Sequence, residues 1–102
     1  MAKLYISEYA GMAHQLAGAE QIAAAQEPAL FVQTPVVIGA GSLQSAAFTG
    51  GTRVVRIHTD AICSIKFGSN PTATANDQRM AANTTEYFGV TPGEKVAVIT
   101  NT

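Results

Sequence analysis

Two stretches in the second half of the chain alternate strictly enough to decide its class. From Thr52 to Asp60 the odd positions Val55 and Ile57 are apolar while Arg56 and His58 take the opposite parity. From Ala61 to Phe67 the residues Ala61, Cys63, Ile65 and Phe67 form an apolar row against Ser64 and Lys66. A period of two sends one set of side chains to a core and the other to water, the pattern of a half-buried strand. Thr84 to Val90 and Lys95 to Thr100 read as two further strands. Between them Thr91-Pro92-Gly93-Glu94 fits a type II turn, with proline presetting φ at the second position and Gly93 taking a positive φ at the third.

The first half is less regular. Lys3 to Tyr9 reads as a strand, with Leu4 and Ile6 on one parity and Tyr5 on the other. Met12 to Gln26 leaves two readings open. Its alanines and the spacing of Leu16, Ala19, Ala23 and Gln26 suit a short helix, but Gly18 interrupts it and no clear cap starts it, so an extended N-terminal arm is the other reading. Leu30 to Ile38 is apolar and rich in β-branched residues, yet Pro35 lacks an amide hydrogen and confines the run to a sheet edge or a bulge. Ser42 to Phe48 is a weaker strand, and Thr49-Gly50-Gly51-Thr52 signals a hairpin with positive φ at its glycines. Ser69 to Met80 is polar and reads as a long exposed loop, a setting where function or mobility concentrates. The expectation is an all-β fold of six to eight strands, a small antiparallel β-sandwich or jelly-roll-like barrel forming one domain over residues 1–102, with residues 1–26 as a strand plus arm or short helix.

Composition narrows the function classes. A chain of 102 residues holds one core and no interdomain cleft. Six Lys and Arg against seven Asp and Glu provide no basic stripe for a phosphate backbone, so nucleic acid is not an expected partner. No segment approaches the roughly 20 apolar residues of a membrane span, and the N-terminus lacks the apolar core of a secretory signal. The expectation is a chain made in the cytoplasm that stays soluble. An aromatic fraction of 7% without Trp implies a thin core, and thin cores draw stability from association.

Candidate chemistry is sparse. The single cysteine, Cys63, lies on an apolar row and reads as a small core hydrophobe rather than a nucleophile. His58 and Asp60 share a strand face and could seed a metal site or an acid/base pair, but a metal site needs three or four ligands and the only other histidine is His14. The glycines at 39 and 41 lack the rest of a dinucleotide fingerprint, and no serine has a nucleophile-elbow context. Asn83-Thr84-Thr85 matches a glycosylation acceptor, a short pattern frequent by chance. No catalytic set, metal site or cofactor is expected. Arg53 and Arg56 are better read as contact residues, since a guanidinium forks two directed hydrogen bonds and is enriched at binding hot spots.

Several local stretches carry a family resemblance. His58-Thr59-Asp60-Ala61, Phe67-Gly68-Ser69-Asn70-Pro71-Thr72-Ala73, Glu86-Tyr87-Phe88-Gly89-Val90 and Gly93-Glu94-Lys95-Val96-Ala97-Val98-Ile99 resemble small structural proteins encoded among the virion genes of tailed bacteriophages. The resemblance spans residues 27 to 102, and the opening LYISEYAGMA is similar in style. It implies a non-enzymatic capsid decoration, or cement, protein that binds the major capsid protein or other virion subunits and forms a homo-oligomer, dimer or trimer. The resulting location is the virion, assembled in the host cytoplasm. The expected contacts are Tyr5, Tyr9, His14 and Leu16 near the N-terminus, Arg53, Arg56 and His58 on a strand, and Asn70, Asp77 and Arg79 in the polar loop. A neck, tail or fibre-associated binding module is the alternative, and a cupin-like small-molecule enzyme a further one that clustered metal ligands would support.

Overall fold

A computed structural model describes residues 1–14 and 21–102, and the side chains of residues 13–23 lie outside that description. The strands are β1 (Lys3–Tyr9), β2 (Met12–His14), β3 (Gln21–Ala25), β4 (Phe31–Val32), β5 (Val36–Val37), β6 (Leu43–Gln44), β7 (Val54–Thr59), β8 (Cys63–Gly68), β9 (Gln78–Met80), β10 (Thr84–Gly89) and β11 (Lys95–Thr100). All pairings are antiparallel. One sheet runs β10-β7-β1-β4, with β5 also on β1, and the second runs β6-β11-β8-β9. The fold is thus all-β, two antiparallel sheets in a small sandwich, one of the two architectures that the alternation left open.

The parity reading decides which side chains meet between the sheets. Val55, Ile57, Cys63, Ile65, Val96 and Val98 are buried, joined by Leu4, Ile6, Ile38, Phe48 and Met80. Phe67 and Phe88 are half-buried and pack at the rim, their ring centroids 5.1 Å apart. Met80 is the surprise, a fully buried residue at the end of a segment whose polarity suggested exposure.

Four local expectations change. The described part of 12–26 is not helical: β2 and β3 pair as an antiparallel ribbon, Met12 opposite Ala25 and His14 opposite Gln21. Alanine propensity amounts to tenths of a kcal/mol per residue, and strand pairing overrides it. Ser42 to Phe48 contributes only Leu43–Gln44 as strand. Thr49 to Thr52 does make a tight turn, with Thr52 N donating to Thr49 O at 3.1 Å. That turn leads from the second sheet to the first rather than closing a hairpin, and its glycines do not take positive φ. Gly93 does, at 86°, and Glu94 N donates to Thr91 O at 3.2 Å, as the type II reading requires.

The fourth change concerns the polar loop, which lies against the outer side of the second sheet. Gln44 Nε2 donates to Asn70 Oδ1 at 2.9 Å and to Pro71 O at 2.8 Å, and Ala73 N donates to Ser42 Oγ at 2.8 Å. Asn101 Nδ2 bridges Ser64 Oγ and Ala75 O, at 2.7 and 3.2 Å. Pro71 and Ala73 are buried as a result. Polar residues here hold the loop down.

Pro35 acts as expected. It splits the edge of the first sheet into two short pieces, with Val32 opposite Ser7 and Val36 opposite Leu4. Beneath that break lies a buried carboxylate. Glu8 shares the inward parity of Leu4 and Ile6 and has no exposed surface. Its Oε1 accepts from Thr49 N (2.8 Å), Thr49 Oγ1 (3.1 Å) and Thr52 Oγ1 (2.7 Å), and its Oε2 accepts from Gln33 Nε2 (2.8 Å). Gln33 in turn clasps Ala46, donating to its carbonyl and accepting from its amide, both at 3.1 Å. The network ties β1, the edge segment and the sheet-crossing turn together. Burial pushes the Glu8 carboxyl up, but the four donors outweigh it and hold the group below the usual carboxylate value near 4.5.

Candidate interaction face

The outward parity of the first sheet builds one continuous surface. Because β1 and β10 both pair with β7, Tyr5, His58 and Thr85 form one rung across three strands, and Ser7, Arg56 and Tyr87 form another. Cross-strand neighbours on one face sit about 5 Å apart, so both rungs belong to a single patch. Tyr5 is 41% exposed and Tyr87 48% exposed, while Arg56 and His58 are half-buried between them. A shallow depression in this face is lined by Tyr5, Ser7, Val32, Arg56, His58 and Asp60.

His58 is fixed from several sides. Its Nδ1 shares a hydrogen bond with Thr85 Oγ1 at 2.9 Å, its Nε2 lies 3.8 Å from Asp60 Oδ1, and the Tyr5 ring tilts over it with centroids 6.1 Å apart. Asp60 Oδ2 also accepts from Lys3 N at 3.2 Å. The pair that could have seeded a metal site is therefore tied into the sheet surface. Among the described residues Arg56 has no ion-pair partner.

The ten residues anticipated as contacts do not form one patch. Tyr5, Arg56 and His58 come together on this face. Tyr9 must be corrected: it is only 3% exposed, and its hydroxyl donates to Glu27 Oε2 at 3.0 Å. Burial raises the Tyr9 phenol above its ordinary range, and the neighbouring Glu27 adds to that rise. Arg53 is exposed immediately before β7. The backbone of His14 is in β2, its side chain is outside the described residues, and so is all of Leu16. Asn70, Asp77 and Arg79 lie with the second sheet. The Asn70 amide oxygen is used by Gln44, and Asp77 Oδ2 accepts from Thr74 N (2.7 Å) and Thr74 Oγ1 (3.1 Å) rather than from Arg79. Arg79 remains exposed, opposite Ser64.

Tyr87 was missed by sequence reasoning. Its parity within β10 was readable, but its place beside Arg56 depends on the β7–β10 register, which sequence spacing does not supply. Cys63, by contrast, sits as expected: it is fully buried, its Sγ lies 3.4 Å from Thr59 Oγ1, and desolvation raises its thiol despite that hydrogen bond.

No protein-family model, curated protein or solved structure matches the chain.

Proposed function

We propose that this protein is a non-enzymatic component of a tailed-bacteriophage virion, a capsid decoration protein that binds and stabilises the head lattice through the outer face of its first sheet. The observation that carries this reading is the grouping of Tyr5, Arg56, His58 and Tyr87 in adjacent rungs of a rigid sheet. Tyrosine and arginine concentrate binding energy at protein interfaces, because each joins a large contact area to directed hydrogen bonds. A sheet fixes the backbone that carries them, so the ordering cost on binding is confined to the side chains. The resemblance of His58 to Ala61, Phe67 to Ala73 and Glu86 to Val90 to virion structural proteins supplies the identity of the partner, the major capsid protein.

Cosedimentation of the purified protein with heads depleted of it tests the reading. Arg56→Glu and Tyr87→Ala should each weaken attachment by about thirtyfold, the equivalent of a 2 kcal/mol hot spot. Arg79→Glu, on the other sheet, should bind as the parent does. Undiminished binding by Arg56→Glu would remove the face from the account.

A further inference from the structure

The outward parity of β1 runs Lys3, Tyr5, Ser7, Tyr9, so Tyr9 belongs to the same face as Tyr5. Its rung is the next one along the sheet: Tyr9 pairs with Val54 and Val54 with Gly89, directly beside the rung of Ser7, Arg56 and Tyr87. Tyr5 and Tyr87 on that face are exposed, yet Tyr9 is buried. The group it meets comes from outside the sheet. Its hydroxyl donates to Glu27 Oε2 at 3.0 Å, and Glu27 lies two residues after the end of β3. The same junction is closed by Gln26 N, which donates to Gly11 O at 3.1 Å, and Ala25, opposite Met12 in the ribbon, is buried there too.

The β2–β3 ribbon is a sheet of its own, joined to neither of the two that make the sandwich. Among the described residues it contributes none to the hydrophobic core cluster. Two strands alone are marginally stable in water, so the order of the ribbon and the direction in which it leaves the sandwich depend on what holds its base. A hydrogen bond from a phenol to a carboxylate suits that task, being directional and stronger than one between neutral groups. We propose that Tyr9 is a positioning residue: its bond to Glu27 latches the ribbon to the end of the outer face beside Arg56 and Tyr87, so that ribbon and face meet a head subunit as one surface. The shared surface rests on the head-binding reading and adds to it the group that sets the ribbon against the face. A contact element ordered in advance loses less freedom when the partner arrives. The latch itself is a property of the free protein.

Amide hydrogen exchange reads the latch without heads. Tyr9→Phe keeps the ring and removes the hydroxyl. Exchange at the Gln26 amide should rise about tenfold, the equivalent of one hydrogen bond to a charged group, while the Val90 amide, which donates to Arg53 O within the sandwich, keeps the parent's rate. Glu27→Ala should match Tyr9→Phe, and Glu27→Gln, which retains an acceptor oxygen, should stay within about threefold of the parent. Cosedimentation with depleted heads reads the shared surface: Tyr9→Phe should attach about tenfold more weakly although Arg56 and Tyr87 are intact. A Gln26 rate that does not change in Tyr9→Phe overturns the latch. So do Gln26 and Val90 rates that rise together, because they mark a general loss of stability. A loosened ribbon with undiminished attachment overturns the shared surface. Heads that do not bind the parent protein refute the head-binding reading and the shared surface with it, and the exchange rates still decide the latch.

Discussion

Replacing Glu8 with Gln tests whether the buried carboxylate holds the fold through its charge. The substitution keeps shape and volume. The new amide oxygen can still accept from Thr49 and Thr52, but its NH₂ group then meets Gln33 Nε2, donor against donor, where Oε2 had accepted at 2.8 Å. One charge-assisted hydrogen bond is lost, worth about 1.5–3 kcal/mol, and the three that remain fall to neutral strength. The expected destabilisation is about 3 kcal/mol at pH 7, a large share of the 5–15 kcal/mol typical of a domain. At roughly 4–8 °C per kcal/mol for this size, the thermal midpoint should fall by more than about 10 °C. Urea unfolding of both proteins across a pH series provides the sharper result. The folded carboxyl titrates below its unfolded value, so its stabilisation is complete above about pH 4.5 and is lost as pH falls through the folded value. The gap between parent and variant should therefore narrow with each step below pH 4.5. A gap that stays constant with pH, or one under about 1 kcal/mol at pH 7, would refute an ionic role.

Two predictions concern the core. Ile65→Ala should destabilise by roughly 2–5 kcal/mol, because Ile65 is 1% exposed and its neighbours cannot collapse freely, whereas Phe67→Ala, at the half-buried rim, should fall at the lower end of the aromatic range. A loss under about 1 kcal/mol for Ile65→Ala in urea melts would contradict its place in the core. The Cys63 thiol, buried and held in its neutral form, should react with a thiol reagent only as the chain unfolds, and Cys63→Ala should leave head binding intact. Rapid labelling of the native protein would show the thiol to be accessible.

How much of this was legible in the sequence depends on how locally each feature is determined. Val55, Ile57, Cys63 and Ile65 were placed correctly because strand parity is a property of neighbouring residues. Pro35 and Gly93 behaved as read because ring geometry and φ are properties of single residues. Glu8 was on the readable inward parity, but the donors that make its burial tolerable lie 25 to 44 positions away. The Thr49–Thr52 turn looked like a hairpin because a two-glycine signal does not say which sheet the next strand joins. The polar loop looked free because Gln44, Ser42 and Asn101, which hold it, are remote in sequence. Half of the candidate face was visible as Tyr5, Arg56 and His58, and Tyr87 needed the register of β10 on β7.

The central claim is attachment to the head, and copy number per particle measures it most directly. Quantitative mass spectrometry of gradient-purified virions from a phage carrying this gene should find the chain in hundreds of copies, in fixed ratio to the major capsid protein. Absence from the particle, or a count confined to a single neck or tail ring, would contradict the account.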